Sequence, residues 1–134
     1  MRSGRRVVRL LVLAGGLLVA LALARQWPRD QTVHYVLGDA APRVEELVAR
    51  WAPGIAAEGD WTREASFRYE KGLAPRVVTH EPRLPDGDYT VEIEIVAASL
   101  AEEKASAKSS VVVRKHVTLS GGATSIDLAG WVPR

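Results

Sequence analysis

The chain contains no cysteine, which excludes a disulfide framework, a thiolate metal site, a cysteine nucleophile and a lipid-modified N-terminal cysteine. Histidine is nearly as scarce. His34, His80 and His116 are the only three, and none has the His-x-x-x-His spacing of a helix-borne metal site. No Gly-x-Ser-x-Gly elbow and no glycine-rich phosphate loop occurs, and Gly15-Gly16 falls inside an apolar run. These gaps leave no catalytic constellation, so the sequence reads as noncatalytic and cofactor-free. What is present is ordinary for a folded protein: 134 residues, 47% hydrophobic and 25% charged, enough for one domain and unlike a disordered or collagen-like chain.

Acidic residues are missing before Asp30, whereas Arg2, Arg5, Arg6 and Arg9 crowd the first nine positions. Without those four, 14 basic residues face 16 acidic ones, so the body is slightly acidic and the net charge of +2 is no sign of nucleic-acid binding. The arginines precede Leu10 to Ala24, an unbroken run of Leu, Val, Ala and Gly that closes with Ala22-Leu23-Ala24. That order is the pattern of an export signal. The run is longer than many signal cores but shorter than the roughly 20 residues that cross a bilayer as a helix. Cleavage after Ala24 and retention as a membrane anchor through residues 10–24 both remain open. In either case the arginines stay in the cytoplasm and the remainder is periplasmic or in the cell envelope. Trp27, directly after the run, suits a membrane interface. The expected organisation is a signal peptide or anchor at 1–24, a linker at 25–30 and a folded domain at 31–134.

From Gln31 onward the apolar period is two. Val33, Tyr35 and Leu37 share one face of a first strand; Trp61, Ala65, Phe67 and Tyr69 share a face of another. Arg76 to His80 is a short strand between Pro75 and Pro82, and Tyr89, Val91, Ile93, Ile95 and Ala97 make the best alternation in the chain. Val111 to Leu119 and Thr124 to Leu128 follow, joined by the Ser120-Gly121-Gly122-Ala123 turn. Arg43 to Trp51 is ambiguous, with Val44, Leu47, Val48 and Trp51 at helical spacing and Leu47, Ala49 and Trp51 alternating. The neighbouring strands favour a strand there too. Leu100 to Lys108 is expected to be the solvated tip of a long hairpin, and Ala52 to Asp60 a loop. Six or seven short strands in this space predict an all-β fold, a single antiparallel β-sandwich preceded by an N-terminal hydrophobic helix.

The segment Leu84-Pro85-Asp86-Gly87-Asp88-Tyr89-Thr90-Val91-Glu92-Ile93 resembles the Leu-Pro-x-Gly-x-Tyr-x-Val element of bacterial immunoglobulin-like and transthyretin-like sandwiches. Val117 to Leu128 is similar to the final hairpin of carboxypeptidase-regulatory-like sandwiches. The chain as a whole is similar in style to short exported proteins of Gram-negative bacteria. The resemblance implies a fold and an adhesive, structural or accessory role, with Asp86, Gly87 and Tyr89 structural. On physical grounds Asp86-Gly87 supplies the turn, and a buried Tyr89 needs a backbone partner for its hydroxyl.

Two roles follow. The first is an exported, noncatalytic cell-envelope module for protein interaction or structural assembly, with an unidentified envelope protein as partner. The alternative is a small-ligand or carbohydrate-binding domain using Trp51 and Trp61, which flank the 52–60 loop. An aromatic pocket there would favour the ligand; a bare edge strand would favour the protein. Among the charged strand positions, pairing Glu94 with Arg114 places Glu92 opposite His116 and Lys115 opposite Ile93.

Overall fold

The computed structural model describes residues 2–55, 60–99 and 108–134, with side chains from residue 4 onward. Strand is its main regular structure, preceded by one long helix, α1, at Arg2–Gln26. The strands are β1 (Arg29–Asp30), β2 (Thr32–Val36), β3 (Val44–Pro53), β4 (Arg63–Arg68), β5 (Val77–His80), β6 (Arg83–Leu84), β7 (Gly87–Ala98), β8 (Lys108–Leu119) and β9 (Ala123–Asp127).

α1 extends beyond the run at 10–24 on both sides. Within it the candidate membrane span, Gly4–Gln26, has 23 residues, arginines at both ends included, and its most apolar 18 residues have a mean hydropathy of 2.5 and no burial against the rest of the chain. At 1.5 Å per residue the 23 residues extend about 34 Å and the 18 most apolar ones about 27 Å, against a bilayer hydrocarbon core of roughly 30 Å. The connector is shorter than the 25–30 linker read from sequence. Arg25 and Gln26 remain helical, while Arg29 and Asp30 pair with Leu84 and Arg83 of β6. Only Trp27 and Pro28 lie between helix and strand.

β4-β3-β7-β8 form an antiparallel sheet, and β5-β2-β9 form a smaller one. β2 pairs antiparallel with β5 but parallel with β9, so the wholly antiparallel arrangement expected from sequence is corrected. The same pairing corrects the final hairpin. The turn after Leu119 carries the chain from one sheet to the other, and β9 joins β2 rather than β8. Gly121, with φ of +83°, supplies the left-handed residue for this crossing.

A single apolar cluster draws on both sheets: Val33 and Tyr35 from β2, Val78 from β5, Leu47 and Trp51 from β3, Val91, Ile93 and Ile95 from β7, and Ile126 from β9. Residues 44–53 are a strand. Their helix-like spacing comes from a register irregularity between Val44 and Glu46, after which Leu47, Ala49 and Trp51 alternate into the core. The expected tip at 100–108 falls, apart from Lys108 at the start of β8, outside the described residues, as do residues 56–59 of the 52–60 loop.

Candidate functional site

Trp51 and Trp61 do not form a platform. Trp51 is fully buried, with its ring edge-on to Tyr89 at 6.2 Å between centroids. Its indole N–H lies beside the Tyr35 hydroxyl without a hydrogen bond of good geometry. Trp61 is half-buried and precedes β4; Arg114, on the solvent-facing side of β8, places its guanidinium 5.8 Å from the Trp61 ring centre. The two indoles therefore serve different faces. A surface cavity of about 360 Å³ does open beside the 52–60 loop, but Gly54, Ile55, Asp88, His116, Val117 and Thr118 line it, with no indole among them. Trp51 belongs to the core, and the two indoles expected to share one platform are not brought together.

Asp86, Gly87 and Tyr89 build a turn. The Tyr89 hydroxyl donates to the Pro85 carbonyl at 2.7 Å, and the side chain is 5% exposed. Burial, with a smaller contribution from the Asp86 charge, pushes its phenol above the ordinary value. Gly87 has φ of +151°, which L side chains rarely adopt. Asp86 accepts from Arg29 at 3.1 Å and from the Gln31 side-chain amide at 2.8 Å. Gln31, fully buried, also donates to the Leu84 carbonyl and accepts from the Gly121 amide. Both ends of its amide are thus satisfied, as burial requires. This node ties the start of β2 to the β6–β7 and β8–β9 turns, and sequence reasoning missed it because Gln31 looked like a strand-end polar residue.

The histidines stay apart. His34 contacts Thr79, whereas His80 lies against Tyr35 and Phe67, with Nδ1 3.1 Å from the Tyr35 hydroxyl. Burial holds the His80 imidazole below its ordinary value and the Tyr35 phenol far above its own. Among the described residues, no group of three His, Asp or Glu side chains is placed to hold a metal.

Charge is organised across the outer face of the larger sheet. Glu64, Arg50, Glu92 and Arg114 occupy one cross-strand row through all four strands. Their contacts measure 2.7 Å for Arg50–Glu64, 3.3 Å for Arg50–Glu92 and 2.7 Å for Arg114–Glu92. Alternating sign makes each pairing favourable, and two guanidiniums cover Glu92, whose side chain is only 11% exposed. Glu94 is not the partner of Arg114. The observed register places Glu94 opposite Val112, Thr90 opposite His116 and Val91 opposite Lys115, two residues from the expected alignment.

The best candidate for a binding surface is the outer edge of β8. This strand has 12 residues, against six in β4, five in β9 and four in β5, the other edges of the two main sheets. Among the described residues only β7 pairs with it. Its open side therefore presents a row of backbone donors and acceptors. Arg114, Lys115 and His116 are consecutive, so basic side chains project on both faces, and β8 carries no carboxylate. Lys115 points toward the core side, with its ammonium 5.9 Å from the Trp131 ring centre. The expected β8–β9 hairpin had concealed this edge; the run of three basic residues inside a strand was the available signal for it. Compared with known proteins, the chain matches no family model, no curated protein and no solved structure.

Proposed function

We propose that the protein is a noncatalytic module of the cell envelope, held by α1 in the cytoplasmic membrane with its β domain on the periplasmic side. The domain is read as a sandwich of the immunoglobulin-like or transthyretin-like kind, a reading supported by the core shared between the two sheets and by the Tyr89 hydrogen bond. Anchorage is supported by the 23-residue candidate span in α1, whose most apolar 18 residues are not buried against the chain. The four arginines at the N-terminus favour that end in the cytoplasm.

The function is to receive an extended, acidic segment of another envelope protein along β8. The observation that carries this reading is the 12-residue edge of β8, unpaired on its outer side among the described residues, with Arg114, Lys115 and His116 at its centre. Strand addition would satisfy the backbone row, while opposite charge would fix partner and register. Lys115 on the core side also discourages a second copy, because two β8 strands would bring like charges together.

The test places a photo-crosslinking residue at Val112, which is 53% exposed on β8, in the full chain in its own membrane. A discrete adduct with an acidic segment, abolished by Lys115→Glu with His116→Glu, is expected. Equal adduct yield from a probe at Arg68 on β4, or adducts indifferent to charge reversal, would exclude the edge.

A further inference from the structure

We infer that the rim of the domain where α1 ends is a binding site for the phosphate of anionic phospholipids; this rests on the reading of α1 as a membrane anchor. Trp27, Pro28, Arg29, Asp30, Arg63 and Arg83 line a concavity of about 640 Å³ at the helix exit. Its three arginines come from β1, β4 and β6, elements far apart in sequence, and face a single lining carboxylate.

The charges are only partly spent within the domain. Arg83 lies 3.6 Å from Asp30, with both side chains about four-fifths exposed, and Arg29 reaches Asp86 at 3.1 Å while remaining 56% exposed. Arg63 makes no ion pair among the described residues, and Arg25 adds a further positive charge in the last turn of α1. An anion entering here would meet planar guanidiniums suited to two-pronged contact with phosphate oxygens.

Placement selects the lipid as the source of that phosphate. The two residues between α1 and β1 reach no more than about 10 Å between flanking positions at roughly 3.3 Å per residue. A helix about 34 Å long ends within the headgroup layer of a bilayer whose full thickness is roughly 40–45 Å. Trp27 is 70% exposed at this level, where an indole is favoured at the membrane surface. The arginine rim therefore faces the phosphates of the leaflet that its own helix enters. Lipid binding would hold the domain in one orientation and leave the β8 edge presented to the envelope.

The absence of native cysteine allows one reporter. The full chain carrying Glu81→Cys labelled with a fluorophore is reconstituted into vesicles of phosphatidylcholine alone or with phosphatidylglycerol, each containing a headgroup-nitroxide lipid. Quenching is expected to be roughly twofold stronger with the anionic lipid at about 0.1 M salt and to lose that excess at high salt. Arg63→Gln with Arg83→Gln should remove the excess without releasing the protein. Equal quenching in both vesicles, or an excess that survives the double substitution, overturns the rim site. Competition by inorganic phosphate at constant ionic strength overturns the lipid assignment in favour of a free anion. Release of the wild-type chain by an alkaline wash overturns the anchor reading instead.

Discussion

Removing Tyr89 in two steps separates its hydrogen bond from its packing. In Tyr89→Phe the ring stays edge-on to Trp51 and only the 2.7 Å bond to the Pro85 carbonyl is lost, a cost of about 1 kcal/mol. In Tyr89→Ala a side chain that is 95% buried disappears from the end of the core, and large-to-small aromatic changes of that kind cost roughly 3–5 kcal/mol. Against a typical domain stability of about 5–15 kcal/mol, the alanine variant loses a large share of the total. With a urea dependence near 2 kcal/mol per molar, a loss of about 4 kcal/mol lowers the midpoint by roughly 2 M. The assay is equilibrium urea unfolding of the full chain in detergent micelles, followed by the strand signal in circular dichroism. A cycle combining Tyr89→Leu with Trp51→Leu should return about 0.5–1.5 kcal/mol of coupling from the ring pair. An alanine variant that loses less than about 1 kcal/mol, or a cycle without coupling, refutes the structural role of this corner.

The charged row gives a test of register: Glu92→Ala with Arg114→Ala should couple by about 0.5–1 kcal/mol, discounted because Arg114 is 46% exposed, while Glu94→Ala with Arg114→Ala should be additive. The reverse result would restore the alignment two residues away. For His80, burial depresses the folded pKa, so the unfolded chain takes up a proton first as pH falls. The stabilisation from this group is complete above the unfolded value of about 6.5 and is lost as pH drops below it toward the folded value. Wild type should therefore lose more thermal stability than His80→Phe between about pH 7.5 and 5.5. Parallel pH curves for the two proteins would remove the burial effect.

Period-two alternation revealed most of the strands because one face of each had to be apolar. It placed Val33 and Tyr35 inward, and likewise Val91, Ile93 and Ile95, all of which are in the core. The same signal is blind to a slip of two residues, which preserves both faces; hence β7 and β8 could not be aligned from pattern alone. The observed alignment brings Glu64, Arg50, Glu92 and Arg114 into one row, and seeing that row requires knowing that β3 and β4 continue the sheet. At Val44 an irregularity in the strand imitated helical spacing. The β8 edge was hidden for a topological reason, because a glycine turn reads as a hairpin whether its strands pair or separate into two sheets. Trp51 shows the corresponding ambiguity at the site: aromatic residues beside a loop suit a ligand or a core equally, and only three-dimensional packing assigned it to the core.

Single-cysteine labelling of the full chain in intact cells tests directly the proposal that α1 holds the domain outside the cytoplasm. A cysteine replacing Gly122, an exposed turn position with open space around a new side chain, should react with a membrane-impermeant maleimide, whereas Ser3→Cys should react only after the membrane is opened. The labelled chain should remain full length and sediment with membranes after an alkaline wash. Protection of the Gly122→Cys site in intact cells, or recovery of a soluble chain lacking residues 1–24, would contradict the anchored, extracytoplasmic domain.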